Sequence, residues 1–418
     1  MSFGLSFRAK GRWVDVETQN SNLETFQGQD PCKTQVPYVS FALKLEDVAM
    51  AVPLLDLVRQ YEPLREEIRD AIDRVCDSQR FILGAEVDDF ERESAVVLET
   101  LHAVGVTSGT DALLVALMAL GVGRGDEVIL PTFTFFATAG VVSRLGATPV
   151  FVDVDPVDFC MDPEHLHVSI NDRTRAIIPV HLFGQAAAMD RIMEAAGDVP
   201  VVEDCAQAWG ADFNGAQVGS IGAMGAFSFF PSKNLGCFGD GGLVTTDDAG
   251  LDRSLRELRM HGQSGPYQHP VVGGNFRIDA LQAAVLRVKL PHVGAWIEGR
   301  RANADRYRRL FANAGLEQMV QLPEAVSGRG HTFNQYVVRV QRRDELRAFL
   351  ADRGIGSAVY YPLPLHLQPC FEGLGHEQGE FPVAEEASRE VLALPVFPEL
   401  TEGEQEEVVH AIEEFYAN

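Results

Sequence analysis

A chain of 418 residues with 46% hydrophobic and 23% charged side chains is too long for one ordinary core and divides into two or three domains, with ample apolar mass to bury. Its 35 basic and 60 acidic residues leave a net charge of −25, which repels phosphate backbones and anionic bilayers and excludes nucleic acid and membrane surfaces as general partners. Six scattered cysteines, Cys32, Cys76, Cys160, Cys205, Cys237 and Cys370, form no CxxC pair and fit reduced thiols better than a disulfide framework or a zinc site.

Residues 1–49 are rich in Gln, Asn, Thr and Ser without a sustained helical or strand period, so they read as an irregular leader, either an upstream extension before a start at Met50 or a real extra segment. The opening "MSFGLSFRAKGRW" lacks the continuous apolar core of a secretory signal. The longest apolar stretch, residues 128–142, is broken by Pro131 and three threonines, so a cytoplasmic location is expected. In "YEPLREEIRDAIDRVCDSQ", Leu64, Ile68, Ile72 and Val75 share one face of an amphipathic helix. Strand-length apolar runs follow, "VGVT", "EVILP", "TPVFVDV", "AIIPV", "VPVVED" and "AFSFF", each spaced by enough residues for a helix. That alternation predicts an α/β domain with a mostly parallel sheet covered on both faces. After Thr246 a helix-rich stretch leads to a smaller set of strands and helices beginning at "NQYVVRV". The expected division is 1–49, 50–290 and 291–418.

Three features along this pattern carry chemistry. In an open parallel sheet ligands gather at the carboxyl ends of strands, where "VPVVED" places Asp204, either facing a ligand or simply capping the next helix, while Glu203 points to the opposite face. "VGVTSGTDALLVAL" reads as strand, tight turn and helix. Ser108, Gly109 and Thr110 there surround an anion with free N–H groups, hydroxyls and the positive helix end, or simply cap the helix. No GxxxxGK loop and no strand-linked GxGxxG is present, so one phosphate suits this turn better than a nucleotide triphosphate or a nicotinamide cofactor. Lys233 stands between an apolar run and a glycine cluster in "SFFPSKNLGCFGDGG". A lysine, a strand-end acid and a monophosphate cradle together fit pyridoxal 5'-phosphate, which requires a Schiff-base amine, an acidic partner for its ring nitrogen and an anchor for its phosphate.

At these residues the chain resembles the sugar aminotransferases of the DegT/DnrJ/EryC1/StrS family. The likeness runs in order through "VPLLDL", "FILGAEVDDFE", "SGTDAL", "GDEVILPTFTFFAT", "GATPVFVDVD", "HLFGQAAAMD", "EDCAQAWGA", "FSFFPSKNLGCFGDGG", "GGNFRIDALQAAVL", "YYPLPLHLQP" and "LALPVFPEL". The resemblance implies fold type I: a large domain with a mostly parallel seven-stranded sheet between helices, and a smaller α+β C-terminal domain. It makes Lys233 the imine-forming lysine and Asp204 the partner of the pyridinium nitrogen. It assigns the cofactor phosphate to Gly109, Thr110 and Ser228, and stacks Phe135 on the ring with Gln207 near its hydroxyl side. Asn275 would reach the phosphate in a partner subunit, which implies a homodimer with shared active sites. Arg277, Tyr361 and His366 are the expected substrate contacts, with a structural ion pair the equal alternative for Arg277. His181 either lines the cofactor pocket or is a satisfied core histidine. Tyr360 stands where many relatives have histidine.

The implied reaction is a two-half transamination. L-glutamate leaves its amine and departs as 2-oxoglutarate, and a keto-sugar on a nucleotide diphosphate collects the amine for amino-sugar synthesis. "VPLLDL" and "FNQYVVRV" lean toward relatives that aminate the sugar C3 position. The alternatives are a dehydratase or isomerase on a similar sugar, whose known dehydratase relatives replace the lysine with histidine, and a non-catalytic regulatory protein with the same fold.

Overall fold

The computed structural model describes residues 51–417, together with two short leader strands, Leu5–Ala9 and Arg12–Val16, which pair antiparallel. The rest of residues 1–50 lies outside the described residues, and with it the readings of an irregular leader and of a start at Met50.

Seven strands build the central sheet: β1 (His102–Val106), β2 (Glu127–Pro131), β3 (Thr148–Val152), β4 (Thr174–Ile177), β5 (Val202–Asp204), β6 (Met224–Ser228) and β7 (Gly242–Thr246). Their order is β1-β7-β6-β5-β4-β2-β3, with β4 and β5 joined through the parallel bridges Ile177 to Val201 and Val180 to Asp204. All neighbours run parallel except β7, which is antiparallel to both β6 and β1. The expected apolar runs supply the six parallel strands. They read as continuous rather than alternating because both faces are covered.

On one face, Val104, Val106, Leu130, Val202, Ala226 and Val244 pack with the helix Gly109–Ala119, whose residues 112–117 are all buried. On the other, Ala103, Phe227 and Leu243 meet the helices Arg65–Ser78, Ala85–Val97 and Ala280–Lys289. Leu64, Ile68 and Val75 are buried there as the periodicity requires, with Ile72 packed at the margin.

Beyond the long helix Val293–Asn313, strand Tyr336–Val340 pairs antiparallel with Val320–Gln321 and Val391–Leu394. The helices Arg343–Asp352 and Glu402–Ala417 bury Leu346, Leu350, Val408 and Ile412 in the same core. Val52 joins that core by exchanging backbone hydrogen bonds with Gly354 and Gly356, so the start of the stretch 51–417 is held by the last third of the chain.

Candidate active site

Sheet register assembles the site. Val106 lies opposite Gly242 and Gly242 opposite Ser228, which puts the ends of β1, β7 and β6 in one row. One strand further, Asp204 pairs with Ala226, two residues before Ser228. Side-chain alternation then separates the two acids of β5. Glu203 is wholly buried and accepts hydrogen bonds from the backbone N–H groups of Gly219, Ile221 and Gly222, with His181 Nε2 at 3.0 Å. Asp204 faces the other way and accepts from Thr138 Oγ1 at 2.9 Å and from the Ala206 N–H at 3.2 Å.

Burial raises the Asp204 carboxyl above the ordinary aspartate value, opposed by the Ala206 N–H, the Thr138 hydroxyl and the nearby Lys233 charge. Lys233 is partly buried at the tip of the loop between β6 and β7, where its N–H closes a turn onto the Phe230 carbonyl. Burial lowers its ammonium to about 8, and the Asp204 charge is the influence that pulls it back up. At pH 7 about one amine in eleven is therefore unprotonated, against about one in three thousand for a lysine of ordinary pKa. The site thus offers an amine of lowered basicity within electrostatic reach of a buried acid.

The cradle sits at the end of β1. Ser108 caps the helix Gly109–Ala119, its Oγ accepting from the Asp111 N–H at 3.1 Å, so the capping reading holds for that hydroxyl. The first-turn amides of Gly109 and Thr110 have no intrahelical acceptor and remain for an anion. Space is tight. A Cβ on Gly109 would lie 2.6 Å from Ser228 Cβ, and one on Gly242 would lie 2.4 Å from the Ser108 carbonyl oxygen. Both glycines are what allow strand, turn and Ser228 to converge.

Gln207 and Tyr361, distant in sequence, meet directly. Gln207 Nε2 donates to the Tyr361 hydroxyl at 3.2 Å, and its Oε1 accepts from the Phe183 N–H at 2.7 Å. Burial pushes the Tyr361 phenol upward, so it stays protonated. Phe135, 58% exposed, has its ring 6.3 Å from that of Tyr361 and lines a cavity of about 580 Å³ with Thr110, Phe136, Arg144 and Phe371. Arg277 bridges to Val106 at the base of the cradle. Its Nη1 meets only Met260 Sδ at 3.8 Å, and its buried Nε has no partner among the described residues, so the alternative of a structural ion pair is not realised there. Asn275 is exposed and forms a backbone bridge with Met260.

Two histidines prove structural. His366, expected among the substrate contacts, is 2% exposed, with Nδ1 at 2.8 Å from Thr132 Oγ1 and Nε2 at 3.3 Å from Glu385 Oε1. Its ring also packs on Phe381, so both nitrogens are committed to the core and that expectation is corrected. His181 is the satisfied core histidine, accepting from the Ala187 N–H through Nδ1 and paired with Glu203. Together with Cys205 these groups bring three ligand-type atoms within 4.8 Å, yet the hydrogen bonds just described already account for His181 and Glu203.

The sequence reading passed over three residues. Thr138 orients Asp204 from within the quoted "PTFTFFAT", Gly242 seats the cradle, and Asn334 lines a small cavity with Ser232 and Tyr360. The amide oxygen of Asn334 is buried there without a partner. Only the glycine pair in "GDGG" offered a local signal.

A seven-stranded sheet with one reversed strand, and a lysine in the loop entering that strand, is the layout of a pyridoxal-phosphate-dependent transferase of fold type I. The chain belongs to the DegT/DnrJ/EryC1/StrS aminotransferase family, whose sequence profile matches residues 62–413. It is 50% identical over 369 residues to a pleiotropic regulatory protein of Geobacillus stearothermophilus, covering 88% of this chain and 99% of that one. It is 49% identical over 355 residues to a UDP-N-acetyl-3-dehydro-alpha-D-glucosamine 3-aminotransferase of Acidithiobacillus ferrooxidans, covering 84% and 94%. Among solved structures, S. venezuelae DesV in complex with a ketimine intermediate superposes with a TM-score of 0.85 at 44% identity, covering 88% of this chain and 99% of DesV. A Bacillus subtilis relative was solved with bound pyridoxamine phosphate, at 29% identity, TM-score 0.81 and coverage of 87% and 86%. Pyridoxal phosphate is the cofactor of this fold, and the residues here fit it: a lysine amine, a buried acid, and a helix-start cradle that a single Cβ would fill.

Proposed function

We propose that this aminotransferase moves an amine from L-glutamate to the 3-keto position of a nucleotide-linked sugar, using the residues gathered at the ends of β1, β5 and β6. The observation that carries the reading is the placement of Lys233, on the loop leaving β6, within electrostatic reach of the buried Asp204 at the end of the neighbouring strand β5. Bound pyridoxal phosphate supplies an electron sink for the carbon that loses its proton.

The protein's own groups do the rest. Asp204 holds a proton at the ring nitrogen, and Thr138 holds Asp204. Lys233 is the amine that would hold the cofactor, and its Nζ would serve as the base that takes and returns the proton at the reacting carbon. The Gly109 and Thr110 amides and the Ser228 hydroxyl would hold the phosphate, Phe135 would cover the ring, and Gln207, fixed by Phe183 and Tyr361, would serve its hydroxyl side. Arg277, with no carboxylate partner among the described residues, is suited to an anionic substrate group, which on so acidic a protein needs local donors. The names of relatives that aminate 3-keto nucleotide sugars support the C3 assignment.

A homodimer completes the proposal. Exposed Asn275 lies on a segment with Tyr267, Val271 and Val272, large apolar groups left open in one chain. No helix among the described residues is long and apolar enough to cross a membrane.

Incubation with glutamate and a panel of UDP- and dTDP-linked 3-keto and 4-keto sugars, with products read by mass, tests the reading. A 3-amino product with matching 2-oxoglutarate is expected. Amination confined to 4-keto sugars overturns the C3 assignment. No amination of any ketone favours the regulatory role that the Geobacillus relative's name suggests.

A further inference from the structure

A second lysine holds the loop that carries the first. The loop is closed at its base by the Cys237 N–H donating to the Phe229 carbonyl and at its tip by the Lys233 N–H donating to the Phe230 carbonyl. Gly236 lies against Pro231, since a Cβ there would sit 2.4 Å from the Pro231 carbonyl oxygen. A displacement at Gly236 is therefore passed directly to the turn bearing Lys233. The helix Ala280–Lys289 grips this loop at two places. Gln282 Oε1 accepts from the Phe238 N–H at 2.7 Å and its Nε2 donates to the Phe238 carbonyl at 3.1 Å. Two helical turns later on the same face, Lys289 Nζ donates to the Gly236 carbonyl at 2.7 Å and lies 5.0 Å from the Phe238 ring centre.

Lys289 is 4% exposed and meets no carboxylate among the described residues. Desolvating an amine costs stability that a methionine of similar length would not incur. The cost is intelligible if the amine holds something in place. The helix itself is immobilised: Ala283, Ala284, Val285 and Leu286 are buried in the core, and the preceding segment docks on the cradle strand through the Thr107 N–H to the Phe276 carbonyl. One rigid strut thus spans from the end of β1 to the lysine loop.

We propose that Lys289 and Gln282 are positioning residues for Lys233, fixing its loop relative to the phosphate cradle so that the amine meets the cofactor aldehyde in register. This rests on Lys233 being the point of cofactor attachment. Borohydride reduction of the loaded wild-type chain, with the adduct mapped by peptide mass, tests that premise separately. For the inference itself, cofactor-free wild type, Lys289→Met, Lys289→Arg and Gln282→Leu are mixed with pyridoxal phosphate. The rise of visible absorbance and the visible circular dichroism of the loaded proteins are then recorded. Lys289→Met and Gln282→Leu are expected to slow capture at least tenfold and to weaken the dichroism, with Lys289→Arg recovering to within threefold of wild type. A purely structural role would lower Tm and leave both readouts unchanged. If Lys289→Met does not fold, Gln282→Leu decides. Capture within twofold of wild type with unchanged dichroism in a folded Lys289→Met or Gln282→Leu, or an arginine variant as slow as the methionine one, overturns the proposal.

Discussion

Asp204→Asn separates two roles that one carboxylate plays. In the cofactor-free chain its charge is what raises the Lys233 amine against the lowering by burial, so removing it sends that amine below about 8. At pH 7 about one Lys233 in eleven is already neutral, so full deprotonation increases the reactive fraction by no more than about elevenfold. The variant should therefore label faster at Lys233 with a small aldehyde trapped by borohydride, with the midpoint of labelling against pH shifted downward. The loaded enzyme should behave in the opposite sense. With no acid to keep the ring nitrogen protonated, kcat/KM should fall by at least about a hundredfold, or about 2.7 kcal/mol of barrier. Peptide mass spectrometry across pH 6 to 10 and a glutamate half-reaction followed in the visible provide the two readings. A labelling midpoint at or above that of wild type would refute the electrostatic account of Lys233.

Lys233 also carries a stability cost with a defined sign. Its folded value of about 8 lies below the ordinary 10.5, so the folded chain disfavours the protonated amine; the cost is full below pH 8 and vanishes as pH rises through 10.5. Cofactor-free Lys233→Met should gain about 3 kcal/mol over wild type at pH 7 in urea unfolding, and the gain should shrink toward pH 10. Gly109→Ala drives a Cβ into Ser228 and should weaken equilibrium binding of pyridoxal phosphate by at least about tenfold, a loss near 1.4 kcal/mol, while the far-ultraviolet dichroism stays native. His366→Phe should lower Tm, since it removes the imidazole from both Thr132 and Glu385 and leaves each with only a backbone N–H partner, yet leave the KM for the sugar within about twofold; a selective rise in KM would restore His366 to the substrate site.

The placement of Asp204 and of the helix-start turn was legible in the sequence because it follows from short-range rules. Strand alternation assigns Asp204 and Glu203 to opposite faces, and a strand end at a turn before a helix marks the cradle. The seventh strand was not among the apolar runs because "GLVTT" opens on glycine and closes on two threonines. Its place is set by pairing with β1 and β6 on either side rather than by its own composition. The roles of Thr138 and His366 depend on partners 66 and 234 positions away, and no local pattern records such distances. His366 stood in a motif that suggested ligand contact, and core packing took up both of its nitrogens instead.

The reversed strand β7 makes the segment from Met224 to Thr246 a single long hairpin, hydrogen-bonded internally and to strands on both flanks. Lys233 is carried on the turn of that hairpin and contributes nothing to the ladder below it. An ancestor could exchange this one side chain and acquire a different reaction while every strand beneath stayed in place. The scaffold and the chemistry can in that sense evolve at different speeds.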